Sequence, residues 1–362
     1  MKILITGGHL TPALAVIEKL KGKHEVLYVG RKHAFEGDSA ISFEYQTITK
    51  LGIPFYEIKT GRLQRKFTKY TVSSLLRIPS GFLGAYKILI DVKPDVVLGF
   101  GSYVSVPVGI AAKSLGIPLV IHEQILAAGF ANRVLSKFAD KICVSWKSSE
   151  SYFPKKKTIL TGNPLRGSVL NLKNQQQEKS IYISGGSLGS HTINMLILKI
   201  IKKLLKDFVV FHQTGDYKKH NDFQKLLELK ETLPKQLADK YKLVKFMDVD
   251  EVSKNMLASS FVIGRSGINT VTELIYLKKA AILIPLSLTK HSEQIKNAYF
   301  FKQIGLGEVY LEEDLESEGL YDKIINFYKN IDKYQLKENV LVKESADKII
   351  SVLEDVYPKK AS

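Results

Sequence analysis

A single cysteine among 362 residues excludes an intramolecular disulfide and any cluster of thiolate ligands within one chain. That residue, Cys143, sits in "DKICVSW", which reads as a buried strand, and a fold without cross-links fits a reducing compartment such as the cytoplasm. No apolar run approaches the ~20 residues of a membrane-spanning helix, so integral insertion is not expected. The chain opens at once on a strand and a glycine turn and lacks the apolar h-region of a signal peptide, so export is not expected either. Acidic residues are scarce as well: 36 Asp and Glu stand against 53 Lys and Arg, a net charge of +17 that draws the surface to a polyanion. Because no aromatic and basic motif of an RNA- or DNA-binding module is present, nucleic acid is not the expected partner.

The shortage of acid is complete from Lys59 to Lys87. There Arg62, Arg65, Lys66 and Lys69 alternate with apolar residues that include Leu75, Leu76 and Phe82. Apolar side chains entering a headgroup boundary while Lys and Arg meet anionic lipid would make such a segment a peripheral membrane surface. A solvated helix face beside core residues has the same composition, and the segment alone favours neither reading.

Two glycine-rich turns half a chain apart carry most of the information. "MKILITGGHLTPALAVIEKL" and "SIYISGGSLGSHTINMLILKIIKKLL" each run from a short apolar strand through glycines into a helical pattern. Such a turn can present backbone N–H groups and the positive end of a helix dipole to an anionic or strongly polar ligand. The length exceeds what one core usually serves, and apolar strands alternate with helices, as in parallel sheets covered on both faces. Strands are predicted at Lys2–Ile5, Glu25–Val29, Asp95–Leu98, Pro118–Ile121 and Lys141–Val144, then at Ser180–Ser184, Phe208–His212, Lys242–Phe246, Phe261–Ile263, Ala281–Pro285 and Glu308–Leu311. A polar stretch near 164–179 separates the halves, which gives domains 1–163 and 164–342. The tail, 343–362, carries a helix with Ala346, Ile349, Ile350 and Leu353 on one face, which needs a surface to pack on.

In the second half, "GRSGINTVTELIYL" places Thr270 and Glu273 early in a helix that follows a strand and a turn. Glu273 either stabilises the helix dipole or accepts hydrogen bonds from the vicinal hydroxyls of a ribose. Downstream, Gln294 and Asn297 bring amides to the start of the next helix, where sugar hydroxyls find bidentate partners. Asp248 and Asp250 form a DxD that reads more readily as a helix cap than as a metal site.

Taken in order, "TGGHLTPALAV", "GFGSYVSVPVGIAAKSLGIPLVIHEQ", "TGNPLR", "GGSLGS", "HQTG", "RSGINTVTEL" and "SEQIKNA" resemble the MurG family of membrane-associated glycosyltransferases from Lys2 to about Val309. The resemblance implies an α/β fold of GT-B type: two Rossmann-like, doubly wound parallel-sheet domains facing across a cleft, with the last helix crossing back to the first domain. It implies inverting transfer of N-acetylglucosamine from UDP-N-acetylglucosamine to undecaprenyl-pyrophosphoryl-N-acetylmuramoyl-pentapeptide, lipid I, at the cytoplasmic face of the cell membrane, with no cofactor. The lipid acceptor would belong to the N-terminal domain. By that likeness Arg166, Ser187, Met247, Ile268, Asn269, Thr270, Val271, Thr272, Glu273 and Gln294 contact the donor, and Thr6, Gly7 and Gly8 approach it from the other domain.

Inverting transfer needs a base for the incoming hydroxyl and charge stabilisation for the departing diphosphate. His9, closing the first glycine turn, is the leading base, with a helix-capping histidine as the bland alternative. Glu123 in "HEQ" is the competing carboxylate, and a strand-end glutamate that merely binds backbone amides would look the same. Arg166 and the helix N-terminal amides at Ser187–Ser190 would neutralise the diphosphate without a metal. Three departures from the family pattern stand out: a shortened first glycine loop, Ile125 after "HEQ", and Ser102 and Val106 in "GSYVSVP". All three lie in the acceptor half or at the donor sugar. A UDP-N-acetylglucosamine 2-epimerase, using the same fold without a lipid acceptor, or another GT-B transferase acting on a different lipid acceptor, is the alternative.

Overall fold

The computed structural model describes residues 1–33, 41–61, 78–172, 179–186, 188–215, 220–286 and 293–357. The chain divides into two compact units, Met1–Gly167 together with Leu341–Ser362, and Ser168–Val340.

The first unit is a wholly parallel seven-stranded sheet in the order β3-β2-β1-β4-β5-β6-β7. Its elements run β1 (Lys2–Thr6), α1 (Leu10–Leu20), β2 (Glu25–Gly30), α2 (Phe43–Lys50), β3 (Phe55–Glu57), α3 (Ile78–Val92), β4 (Val96–Gly99), α4 (Ser102–Ser114), β5 (Leu119–Glu123), α5 (Phe130–Leu135), β6 (Lys141–Val144) and β7 (Thr158–Leu160). The central strands are buried throughout, as their near-continuous Val, Ile and Leu content requires of a sheet covered on both faces. Cys143 lies fully buried in β6, and burial pushes its thiol up to about 12, which leaves it unreactive. The edge strands β3 and β7 were not expected from the sequence. At three residues each, and only partly buried, they are too short to show a period.

The second unit is a parallel six-stranded sheet in the order β10-β9-β8-β11-β12-β13. A short helix α6 (Gly167–Leu170) precedes it, followed by β8 (Ser180–Ser184), α7 (His191–Asp207), β9 (Val209–Gln213), α8 (Asp222–Glu231), α9 (Lys235–Lys240), β10 (Tyr241–Val244), α10 (Val249–Ala258), β11 (Phe261–Gly264), α11 (Ile268–Tyr276), β12 (Ala281–Leu283), α12 (Glu293–Gln303), β13 (Gly307–Val309) and α13 (Ser317–Lys329). α7 shows why the sequence folds this way. Ile193, Leu196, Ile197, Ile200, Ile201, Leu204 and Leu205 fall on one buried stripe, its four lysines lie outside that stripe, and the Ser190 hydroxyl caps the helix by accepting from Ile193 N.

α14 (Ser345–Val356) belongs to the first unit. It buries Ala346, Ile349, Val352 and Leu353 in one cluster with Ala13, Val16, Ile17 and Leu20 of α1, and Lys19 pairs with Asp347 at 3.1 Å along the seam. The apolar face predicted for the tail thus has its partner. Ile350 lies at the margin of that face and is only half-buried.

Candidate functional site

In each sheet the strand order reverses beside the first strand, and open α/β sheets bind ligands at the carboxyl ends of the strands that flank such a reversal. In the first unit this point lies between β1 and β4, in the second between β8 and β11. Each glycine turn is therefore the loop that leaves a switch-point strand.

In the first unit the turn Gly7–His9 is pinned against the loop after β4. His9 N donates to Phe100 O at 3.1 Å, and a Cβ on Gly8 would stand 2.3 Å from that same carbonyl oxygen, so only glycine fits. The hydroxyls of buried Thr6 and Ser105 meet at 2.6 Å, and Ser105 Oγ also reaches the Gly7 carbonyl. His9 occupies the N-cap position of α1, yet its side chain makes no capping hydrogen bond. Its Nδ1 is buried without a hydrogen-bond partner, close to Gly101, where a Cβ would lie 3.7 Å from Nδ1 and 3.6 Å from Asn132 Nδ2. Burial lowers the His9 pKa, which keeps the ring neutral and able to accept a proton.

Glu123 is placed differently from a free base. It is fully buried, and its carboxylate accepts from Ile125 N at 3.2 Å, Gly129 N at 2.8 Å and Asn132 Nδ2 at 3.1 Å. These bonds shape the loop between β5 and α5, the role that the sequence reading held open as its bland alternative. His122, beside it, is fully buried, with its pKa held down to about 3 by loss of solvation and with Nε2 3.1 Å from Ser145 Oγ.

One expectation for this turn needs correction. Two of its amides do not face outward: Gly7 N donates to Val29 O at 2.7 Å and His9 N to Phe100 O, while the Glu44 carboxylate, held by Tyr28 OH and Arg31 N, packs beside Gly7. A shortened turn lies close to its neighbouring strands, so these two donors are satisfied inside the unit. Sequence reading missed Glu44 because a glutamate two residues after the Ser42 N-cap looks like ordinary dipole stabilisation.

In the second unit the Arg265–Gly267 turn leads into α11. Ile268, Val271 and Thr272 face inward, and Thr272 Oγ1 donates back to Ile268 O at 2.8 Å, so these three side chains are core. Val271 N makes the first intrahelical bond, to Gly267 O at 3.0 Å, so Ile268, Asn269 and Thr270 form the first turn at the helix mouth. Glu273 is buried, with Ser253 Oγ donating to its Oε2 at 3.4 Å, and its charge helps raise the pKa of Tyr182. Gln294 and Asn297 brace this turn from α12. Ser266 Oγ donates to Gln294 O at 2.7 Å, Asn297 Nδ2 donates to Ser266 O at 3.0 Å, and Gln294 Oε1 accepts from Leu286 N at 3.0 Å. Asn297 Oδ1 is buried without a hydrogen-bond partner.

Arg265, also missed, ties the two turns of this unit together. Its guanidinium donates to Ser190 Oγ, to Ile284 O at 3.0 Å and to the Glu312 carboxylate. An arginine beside a turn is unremarkable in sequence, and only the fold brings Ser190 and Glu312 to it. Met247 lies buried after β10, in contact with Asn255 Nδ2 at 3.4 Å. Asp248 is spent as the N-cap of α10, in a capping box with Glu251. Arg166 is half-buried at the end of the first unit.

Ser187 and the membrane candidates Arg62, Arg65, Lys66, Lys69, Leu75 and Leu76 lie outside the described residues. Phe82 is half-buried on α3, where Leu83 and Ile90 are the exposed apolar side chains. Among the described residues no helix is long and apolar enough to cross a membrane.

Residues 6–144 match the glycosyltransferase family 28 N-terminal domain, and residues 180–353 match the glycosyltransferase family 28 C-terminal domain. A Clostridium perfringens protein named UDP-N-acetylglucosamine--N-acetylmuramyl-(pentapeptide) pyrophosphoryl-undecaprenol N-acetylglucosamine transferase is 37% identical over 350 residues, 92% of each chain. The chain belongs to the MurG family of glycosyltransferases. A Lachnospira eligens transferase of the same name is 34% identical over 98% of this chain and 99% of its own. Among solved structures, Acinetobacter baumannii MurG superposes with a TM-score of 0.71 at 23% identity, covering 98% of this chain and all of that one. A UDP-GlcNAc 2-epimerase from Neisseria meningitidis gives 0.67 at 16% identity, covering 98% of this chain and 100% of its own. At these identities the structural likenesses speak for a GT-B type fold, which the MurG family and the epimerases share.

Proposed function

We propose that this protein transfers N-acetylglucosamine from UDP-N-acetylglucosamine to the C4 hydroxyl of the muramoyl residue of lipid I, giving lipid II for peptidoglycan synthesis. The observation that carries the reading is the 37% identity along 92% of the chain with transferases so named. In the reaction the acceptor oxygen bonds to the anomeric carbon with inversion, the bond from that carbon to the diphosphate breaks, UDP departs, and the hydroxyl proton passes to a base. His9 is assigned as that base because its ring is neutral and Nδ1 lacks a partner. Glu123 is assigned the loop between β5 and α5 instead, since three donors already hold its carboxylate.

On the second unit, Glu273 takes the ribose hydroxyls, and the N–H groups at the α11 mouth with Asn269 and Thr270 take the polar donor groups, while Gln294 and Asn297 hold the turn in place. Val271 and Thr272 contribute packing rather than contact, which narrows the donor set read from the sequence. The Met247 backbone would meet uracil, and Arg166 and Ser187 would meet the diphosphate, so the departing charge needs no metal. The membrane surface would be the segment from Arg62 to Lys69 with Leu75, Leu76 and Phe82. The exposure of Leu83 at 72% and Ile90 at 54% on α3 supports a peripheral docking face that continues into that helix.

The test is a transfer assay with UDP-N-acetylglucosamine and a short-chain lipid I analogue, with and without EDTA. UDP release is expected only when acceptor is present, and at the same rate under chelation. Release of UDP and N-acetylmannosamine from donor alone would instead make the protein an epimerase, a reading that only the shared fold favours.

A further inference from the structure

A cation is held across the first glycine turn. Arg31 follows directly on β2, and Tyr103 lies in the first turn of α4, which follows β4. In the order β3-β2-β1-β4 those two strands flank β1, whose exit is the turn Gly7–His9. The Arg31 guanidinium stands over the Tyr103 ring, 5.2 Å from its centroid, so the pair bridges the carboxyl end of β1 from one flank to the other. The backbone of Arg31 is fixed where its side chain departs: the N–H donates to Glu44 Oε2 at 3.2 Å, and the carbonyl accepts from Ser42 Oγ at 2.6 Å. Those anchors are themselves held, Glu44 by the Tyr28 hydroxyl donating to Oε1 at 2.7 Å and Ser42 by accepting from Tyr45 N at 3.1 Å. Tyr103 in turn is two residues beyond Gly101, where a Cβ would lie 3.7 Å from His9 Nδ1. The guanidinium and His9 therefore occupy the same end of the same sheet.

We propose that Arg31 recognises the acceptor: its guanidinium takes the diphosphate of the substrate whose hydroxyl His9 deprotonates. The assignment deepens the transferase reading and rests on it for the identity of that substrate. Lipid I carries its diphosphate on C1 and the reacting hydroxyl on C4 of one muramoyl ring, so a site that brings the hydroxyl to His9 brings the phosphates within a sugar ring of it. Their charge needs a counter-charge at that place. The turn supplies little of it, since the amides of Gly7 and His9 are spent on Val29 O and Phe100 O. Arginine suits the task better than lysine. Stacking on an aromatic ring uses a face of the guanidinium, whereas its N–H donors lie in the plane and match phosphate oxygens by paired, charge-assisted bonds. The next cation along the chain goes elsewhere: Lys32 Nζ stands over the Tyr45 ring of α2, 5.6 Å from its centroid. Arg31 lies outside the motifs that carry the family resemblance, and only the strand order brings it to Tyr103.

In the binding arm of the test, full-length wild type, Arg31→Ala, Arg31→Lys and Lys32→Ala are titrated with inorganic pyrophosphate by calorimetry under saturating UDP, which fills the place of the donor's own diphosphate. Wild type is expected to bind, Arg31→Ala at least tenfold more weakly, Arg31→Lys in between because the charge stays and the paired donors go, and Lys32→Ala within twofold of wild type. No binding by wild type, equal binding by wild type and Arg31→Ala, or a loss in Lys32→Ala as large as in Arg31→Ala would overturn the assignment. In the kinetic arm, with UDP-N-acetylglucosamine and a short-chain lipid I analogue, Arg31→Ala should raise the acceptor KM at least tenfold with the donor KM within twofold. A donor KM that rises as much as the acceptor KM would put the guanidinium on the donor's diphosphate and refute acceptor recognition. Both backbone bonds of Arg31 survive a side-chain change, so Arg31→Ala should melt close to wild type. Should it melt far lower, Arg31→Lys carries both comparisons, and wild-type values there would equally refute the proposal. Failure of wild type to transfer sugar would count against the transferase reading, while the pyrophosphate titrations would still decide the role of Arg31.

Discussion

Replacing Glu123 separates a structural carboxylate from a catalytic one. Its two oxygens serve two backbone N–H groups and one side-chain amide, and the carboxylate itself is fully buried. Glu123→Ala strands the donors of Ile125 and Gly129, and at about 1–3 kcal/mol for each buried unsatisfied group the loss is about 2–6 kcal/mol. Glu123→Gln keeps one acceptor oxygen but turns an NH₂ toward at least one N–H donor, so about 1–3 kcal/mol is lost. The order wild type, Gln, Ala should appear in thermal melts, and amide exchange at Ile125 and Gly129 should speed up in the same order. Turnover should fall only as far as the loop loosens. If Glu123→Gln melted like wild type and kept slow exchange at both amides, yet lost about 10² or more in rate, the carboxylate would be acting on the reacting groups and the base assignment would pass from His9 to Glu123.

Glu273→Ala should raise the UDP dissociation constant at least tenfold without unfolding the chain, and unchanged affinity by calorimetry would remove the ribose assignment. His9→Ala should cost about 10²–10⁴ in rate with UDP binding retained; near-normal turnover would leave His9 a turn residue. Because burial lowers the His9 pKa, its neutral base form persists below the ordinary value of 6.5, so the acid limb of the wild-type rate profile should lie under that pH. The stability that His9 contributes has the matching sign: it is present above 6.5 and is lost as pH falls, since the unfolded chain takes the proton first. Reversing Arg62, Arg65, Lys66 and Lys69 to Glu should cut binding to anionic vesicles by orders of magnitude, each basic residue being worth about 1 kcal/mol near the surface. Soluble acceptor analogues should still react, and equal vesicle sedimentation by both proteins would place the membrane face elsewhere.

What the sequence determined by itself was whatever is local and repetitive. Alternating apolar strands and amphipathic helices fixed two parallel α/β units, because strands buried on both faces must be apolar along their whole length. The strand, turn and helix grammar around Gly7–Gly8, Gly185–Gly189 and Gly264–Gly267 located the loops that matter, and the ordered motifs identified the family. Side-chain direction was legible only where helical periodicity spoke, as in the face of α14 that packs on α1. The tertiary structure alone decided which polar groups are spent. Glu123 and Glu273 read alike in sequence, each a carboxylate near a strand end or helix start, yet Glu123 is held by backbone amides of its own loop and Glu273 faces Ser253 and Tyr182. Glu44 and Arg265 carried no sequence signal, because their partners lie on other elements: Tyr28 on β2 for one, Ser190 and Glu312 for the other. A hydrogen bond between distant residues depends on how the strands are ordered, and strand order is a property of the folded sheet.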